Sequence, residues 1–211
     1  MLPSTIPIFP LPNVVLFPNV FLPLHIFEPR YRQMVDDALA GERIIGMVLL
    51  KPGYEVDYEG TPAVYAVGCA GLITHVERLA DGRFNIVLRG LERYRIMDEE
   101  PSSTVLYRLA RIVPLGEAAD ASAERLKSER RRLEAALAPI LDGLPAERRL
   151  PAAMPDEDVI NALSQYLELE PIEKQALLEQ DGPLARCRSL VELLEMKALS
   201  AHAPPRDRKA H

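Results

Sequence analysis

Cysteine, histidine and tryptophan are scarce in this sequence, and their scarcity excludes several kinds of site. The 211 residues include two cysteines, four histidines and no tryptophan. Cys69 and Cys187 lie far apart without a CxxC partner, which predicts two reduced thiols and no zinc site. The histidines show no HxxxH spacing, and the acidic residues show no calcium-loop spacing. We therefore predict neither a bound metal nor a cofactor.

An excess of positive charge and long apolar runs are also missing. The formal net charge is −6, which disfavours nonspecific nucleic-acid binding because such binding places basic side chains against phosphates. No apolar run approaches the length of about 18 residues that a membrane-spanning helix requires, and the amino terminus does not resemble a signal peptide. We expect a cytoplasmic protein that binds no membrane.

The motifs of nucleotide hydrolysis and of serine hydrolases are absent as well. The sequence contains no GxxxxGK[ST] loop to cradle phosphates, and none of its serines lies in a GxSxG or SxxK setting. A serine nucleophile needs such a setting to be activated by a base. We therefore predict no catalytic residue and no enzymatic activity.

The most distinctive stretch is an apolar, proline-rich segment over 6–31, IPIFPLPNVVLFPNVFLPLHIFEPRY. Proline fixes φ and removes a backbone donor, so the segment cannot be helical before its last proline. Its apolar side chains must be buried, which predicts short strands broken by bends at 10–13 and 18–19. Pro29 then stands at the start of a predicted helix that ends at Gly41.

A small sheet is predicted over the next part of the chain. Asp81 and Gly82 form a pair that favours a type I′ hairpin turn, and Gly90 indicates a bulge in the returning strand. About six strands with one inserted helix predict a small closed barrel, because closure removes exposed edges. Strands after the first helix are predicted at 43–50, 63–79, 83–96 and 105–113.

After residue 118 the composition shifts to alanine, leucine, glutamate and arginine, and apolar residues recur at helical spacing. Further helix starts are predicted near Asp156, Pro171 and Pro183. Helices with one apolar face each pack together as a bundle. The predicted fold class is therefore α+β, with a barrel over 1–115, a helical bundle over 118–200 and a flexible tail over 201–211.

Three segments, taken in order, resemble one protein family. They are FPLPNVVLFPN, LPLHIFEPRYRQMVDDAL and FNIVLRGLERYRI, and several long motifs in the right order are far more specific than one short pattern. They closely resemble the amino-terminal, substrate-binding domain of Lon protease. The segment KQALLEQDGPLARCRSLVELLEM is similar to the helical part that follows the barrel in that family. The resemblance implies that the barrel is PUA-like.

The same resemblance implies a function. A stand-alone relative of that domain is expected to recognise unfolded, partly folded or exposed polypeptides without catalysis, as an adaptor, holder or regulator of proteolysis. An ATP-dependent protease is a candidate partner. The ATPase and serine–lysine peptidase modules of Lon protease have no counterpart in this sequence.

Seven residues near the first helix are candidates for a peptide-binding surface, and each also has a structural explanation. The apolar ones suit a core, and Glu28 suits the amino terminus of a helix. The alternative is an apolar groove that docks a peptide. The candidates are Phe17, Phe21, Leu22, Phe27, Glu28, Arg30 and Tyr31.

An RNA-binding PUA-like module is the alternative function. Its best candidate is the basic run at 130–132. However, Glu129 and Glu134 lie at helical spacing from these arginines, which favours a solvated helix face with internal ion pairs. The RNA alternative therefore rests on fold analogy alone.

Overall fold

The computed structural model describes residues 2–57, 60–101, 103–116, 123–141 and 154–202. These residues form six strands, a short 3₁₀ helix and five α-helices, which confirms the predicted α+β class. Most of the predicted tail over 201–211 lies outside the described residues. The elements are β1 (Thr5–Leu11), β2 (Phe21–Ile26), α1 (Pro29–Ala40), β3 (Ile44–Leu49), the 3₁₀ helix (Tyr54–Asp57), β4 (Val67–Arg78), β5 (Phe84–Glu100), β6 (Arg108–Leu115), α2 (Ala123–Leu141), α3 (Asp156–Tyr166), α4 (Pro171–Leu178) and α5 (Gly182–His202).

The six strands belong to one mixed sheet whose pairings close on themselves. Their order is β2-β5-β4-β3-β1-β6, and β6 also pairs with β5. Five strands therefore form a ring of hydrogen-bonded neighbours, and β2 is attached to β5 outside that ring. The β1–β3 pairing is parallel, whereas the others between these strands are antiparallel. β6 begins at Arg108, later than the predicted start at 105.

β1 accommodates its prolines because each half of it is paired on one side only. Residues 5–8 pair with β6 and residues 8–11 pair with β3, so a proline nitrogen can point to the side that has no partner strand. The expectation of a further strand between the two bends was wrong. Residues 14–17 form no strand, and the N–H of Phe17 donates instead to the side chain of Gln165.

β4 and β5 form a long hairpin with a bulge at the predicted glycine, but with a different turn. The register shifts beside Gly90. A Cβ atom there would lie 2.0 Å from the carbonyl oxygen of Phe17, so the position requires glycine. The type I′ prediction was wrong, because that turn needs positive φ at both central residues and Asp81 lacks it. Gly82 has a φ of 80° and donates its N–H to the carbonyl of Leu79.

α1 buries the face that its residue spacing predicts. Pro29 occupies the first turn after Glu28, and the helix ends before Gly41, as predicted. The buried side chains lie three or four residues apart and join the main apolar core. They are Tyr31, Met34, Val35 and Ala38.

One apolar core runs from the sheet into the carboxyl-terminal helices. It contains Phe17, Ile45 and Leu88 from the sheet side together with Leu133 and Leu190 from the helices. Complete burial of such a side chain contributes about 1.5–3 kcal/mol to stability. The division of the chain at 115–118 stays a prediction. None of the described helices combines the length and apolar character needed to cross a membrane.

Candidate functional site

β2 lies outside the ring of strands, and its side chains alternate between core and solvent. Leu22 and Leu24 pack against the core. Phe21 is 50% exposed, and Phe27, which directly follows the strand, is 60% exposed. Large aromatic side chains exposed beside a strand edge are a feature of surfaces that bind other chains.

The outer edge of β2 pairs with no other strand in the part of the chain that the structure describes. The carbonyl of Phe21 points away from β5, because it accepts hydrogen bonds from Gln165 Nε2 at 3.0 Å and from the Tyr166 hydroxyl at 2.6 Å. In an antiparallel strand the polar groups of alternate residues share one side, so those of Pro23 and His25 also point outward. Since proline has no N–H, the open edge offers the carbonyl of Pro23 and both polar groups of His25.

The side chain of His25 belongs to a cross-strand row of hydrogen bonds. Asn85 donates its amide N–H to Glu77 at 2.7 Å, which turns its oxygen towards His25 Nδ1 at 2.8 Å. Nδ1 therefore carries the proton, and Nε2 faces the guanidinium of Arg83 at 3.3 Å. His25 is thus a hydrogen-bonded strand residue.

α3 fixes the turn that precedes β2. Gln165 accepts the N–H of Phe17 at 3.0 Å and also donates to Phe21, while Asn161 donates to the carbonyl of Pro18 at 3.1 Å. Asn161 and Gln165 lie four residues apart on one face of the helix, and both are buried. Removing a buried hydrogen-bond partner is costly, so these contacts hold the turn in place.

A notch opens where this turn meets α3, and we call it the seam notch. It encloses about 390 Å³, within the lower part of the range of about 300–1,000 Å³ that is typical of ligand pockets. Phe21 and Tyr166, which is 63% exposed, both line it, and the Tyr166 hydroxyl donates to the carbonyl of Phe21. The notch is lined by Asn19, Val20, Phe21, Arg89, Met154, Asp158, Ala162 and Tyr166.

A row of polar contacts crosses the rim of the seam notch. Arg89 donates to Asn19 Oδ1 at 3.2 Å, and Asn19 Nδ2 donates to Asp158 at 2.9 Å. Asn19 has a φ of 60°, in the left-handed region that asparagine tolerates. Partial burial raises the pKa of Tyr166 above its usual value of 10.0, so its hydroxyl remains a donor to Phe21 into more alkaline solution.

The structure does not bring the seven predicted site residues onto one surface. Phe17 and Tyr31 are buried in the core, and Leu22 packs against it. Phe21 lines the seam notch, whereas Phe27 lies at the other end of β2, about 20 Å away for six residues at about 3.3 Å each. Peptide binding by this set stays a prediction.

Glu28 and Arg30, the remaining two, lie beside a different opening. Arg30 pairs with Glu28 at 2.9 Å, and its guanidinium carbon lies 4.6 Å from the centre of the Tyr31 ring. Arg30 and Arg108 line a pocket of about 590 Å³. Because Arg108 is paired with Glu99, carboxylates neutralise both arginines of this pocket.

The half of the seam notch that α3 contributes was not predicted. Ala162 and Tyr166 belong to this helix, and Met154 precedes it. Apolar spacing predicts Tyr166 as part of an apolar helix face. Spacing alone does not tell which position of that face stays open to solvent.

Ion pairs within the protein occupy most of the basic run at 130–132. Arg130 pairs with Glu134 and Asp156, and Arg132 pairs with Glu129 and Glu195. This confirms the internally paired helix face that the spacing predicted. In the described ranges, no group of three or more histidine, cysteine, aspartate or glutamate residues is placed to hold a metal ion.

Comparison with known proteins identifies relatives of the whole described fold. The Lon protease of Trichlorobacter lovleyi is 29% identical over 216 residues, which span 96% of this chain and 25% of that protein. The chain spans about a quarter of the length of the curated relatives it matches.

Two solved structures share the fold. A Lon N-terminal domain protein from Xanthomonas campestris matches with a TM-score of 0.59 and 22% identity, over 95% of this chain and 99% of that one. The N-terminal domain of a Mycobacterium avium complex Lon protease matches with a TM-score of 0.63 and 20% identity, over 90% and 98%.

The family match covers most of the chain. Residues 5–196 match the model of the ATP-dependent protease La (Lon) substrate-binding domain, and the match is to that domain, without a catalytic domain. The resemblance found in the sequence is thereby confirmed, and the chain belongs to the Lon substrate-binding domain family.

Proposed function

We propose that this protein recognises unfolded, partly folded or exposed polypeptide segments without catalysing a reaction on them. The site is the seam notch together with the outer edge of β2. The observation that carries the proposal is the pair of exposed aromatics, Phe21 and Tyr166, beside the outer edge of β2, which pairs with no strand of the described residues. Family membership supports the same function, since the family is named for binding the substrates of a protease.

The two parts of the site suit the two parts of a polypeptide. The edge groups of Pro23 and His25 can pair with the main chain of an extended segment, as in strand addition. The seam notch can bury an apolar side chain from the same segment. Because the open edge offers three polar groups and a net hydrogen bond contributes about 0.5–1.5 kcal/mol, the main chain alone binds weakly.

Weak and broad recognition follows from this arrangement. An apolar notch discriminates poorly among apolar side chains, since one methylene changes affinity by about 1–3 kcal/mol at most. Main-chain pairing discriminates even less, because every residue except proline offers the same groups. Such a surface suits a protein that binds many different unfolded chains and releases each of them quickly.

We further propose that the ring of strands is a PUA-like barrel and that α2 to α5 form the helical bundle that follows it. In this proposal the protein is cytoplasmic and acts as an adaptor, a holder or a regulator of proteolysis, with an ATP-dependent protease as its partner. The family match and the similar Lon N-terminal domains support this context.

The proposal is tested by titrating the folded protein with a reduced, carboxymethylated polypeptide that cannot fold. Association is expected in the micromolar range, and it should weaken at least about tenfold in the double variant Phe21→Ser, Tyr166→Ser, since two apolar contacts are lost. The matched control is Met97→Ser, because Met97 is an exposed apolar side chain of β5, 57% exposed, away from the notch.

Circular dichroism establishes that each variant is folded before it is titrated. Absence of association at high micromolar concentration by the folded wild-type protein would overturn the proposed function. Equal loss of affinity in Met97→Ser and in the double variant would overturn the assignment of the function to the seam notch.

A further inference from the structure

A second groove between the sheet and the helices has a charge pattern unlike that of the seam notch, and we call it the basic slot. It encloses about 480 Å³. One wall comes from β5 and the segment that follows β3, and it carries Lys51, Arg93 and Arg95. The other wall is the turn between α4 and α5, with Glu179 and Asp181. Three cations therefore face two carboxylates, and the slot has a net positive charge.

Arg93 lines this slot as a buried side chain whose position is fixed. Its side chain is 2% exposed, and one guanidinium nitrogen donates to the carbonyls of Leu178 at 3.0 Å and Gln180 at 2.6 Å. The carbonyl of Leu178 belongs to the carboxyl-terminal end of α4, which carries a partial negative charge, and that of Gln180 lies in the turn that follows. Arg93 is thus held by the fold.

Lys51 and Arg95 differ from Arg93 because they are exposed at the slot. Neither makes an ion pair with a carboxylate of the described residues. The ammonium of Lys51 lies 5.8 Å from the centre of the Tyr65 ring, which also lines the slot. Most other arginines on this sheet are paired with a carboxylate, as Arg108 and Arg111 are.

We propose that the basic slot binds the carboxyl terminus of a polypeptide. Lys51 and Arg95 receive the terminal carboxylate, and the last side chain packs against Tyr65 and Leu115. A terminal carboxylate is attached to a residue whose own N–H lies close by, and an acceptor on the opposite wall, such as Glu179 or Asp181, matches that donor.

This inference rests on the proposed recognition of polypeptides but concerns another groove. The probe is a short apolar peptide that contains one tryptophan and ends in leucine, made with a free carboxyl terminus and as its amide. Because the protein contains no tryptophan, the fluorescence of the peptide reports binding directly. We expect the free acid to bind at least about tenfold more tightly than the amide, as for a charge-assisted hydrogen-bonded pair.

The preference for the acid should disappear in the double variant Lys51→Gln, Arg95→Gln and persist in the control Arg111→Gln, since Arg111 lies outside the slot. It should also persist in Tyr166→Ser, which changes the seam notch only. Raised salt should reduce the preference, because the slot charges are open to solvent.

The outcomes separate this inference from the proposed function. If the acid and the amide bind equally well, or if the preference survives in Lys51→Gln, Arg95→Gln, the slot assignment is overturned while polypeptide recognition stands. If neither peptide binds and the unfolded polypeptide does not bind either, both proposals are overturned.

Discussion

Replacement of Gln165 by leucine is predicted to destabilise the protein through the turn that precedes β2. Gln165 bridges the N–H of Phe17 and the carbonyl of Phe21, each at 3.0 Å. The carbonyl keeps a second partner in Gln165→Leu, the Tyr166 hydroxyl at 2.6 Å. The N–H of fully buried Phe17 loses the partner that the structure shows for it.

The size of the destabilisation follows from the loss of the partner of that one N–H donor. A buried donor without a partner costs about 1–3 kcal/mol, and leucine is close to glutamine in volume, so little cavity is created. We expect Gln165→Leu to lower the free energy of unfolding by about 2 kcal/mol and the melting temperature by about 5 °C for a chain of this size. Urea denaturation followed by circular dichroism measures the first quantity, and a thermal scan measures the second.

The matched control is Gln180→Leu. The side chain of Gln180 donates to the carbonyl of Ala176 near the surface, so its replacement should change the free energy of unfolding by less than about 0.5 kcal/mol. If both variants show the same small loss in the free energy of unfolding, Gln165 does not stabilise the turn before β2 and the reasoning is refuted.

Three further predictions concern the core and its chemistry. Gly90→Ala should destabilise strongly, by more than about 2 kcal/mol, because its Cβ would lie 2.0 Å from the carbonyl oxygen of Phe17; Gly116→Ala, where nothing lies within 4 Å of the added atom, should be near neutral in the same denaturation assay. Burial raises the pKa of Tyr94 well above its usual value, so stability is complete below the unfolded pKa of about 10 and falls as the pH rises further; equilibrium unfolding in Tyr94→Phe should depend less steeply on alkaline pH, and an equal slope would contradict this. Both cysteines are buried and free, so neither should react with a thiol reagent until the protein unfolds, and rapid reaction of the native protein would exclude the described packing.

Local rules explain why much of the fold was predictable from the sequence. Pro29 and Gly41 mark the ends of α1 through their own backbone restrictions. Gly90 indicated a bulge because a glycine within a strand usually marks a close approach. Each of these signals depends on a residue and its immediate neighbours, so the sequence contains it directly.

The contacts between α3 and the turn before β2 were not predictable, because they join residues far apart in the chain. Gln165 bonds to Phe17, 148 positions earlier, and Asn161 bonds to Pro18, 143 positions earlier. In a helical sequence both polar residues suggest a solvent-facing position, whereas both are buried. The exposure of Tyr166 beside Phe21 follows from the same docking of α3, so half of the candidate site could be found only from the structure.

Titration of the unfolded, carboxymethylated polypeptide into wild-type protein and the double variant Phe21→Ser, Tyr166→Ser tests the central claim most directly. The account predicts micromolar association by the wild type and a loss of at least about tenfold in the folded double variant. Undiminished binding by that folded variant would contradict it.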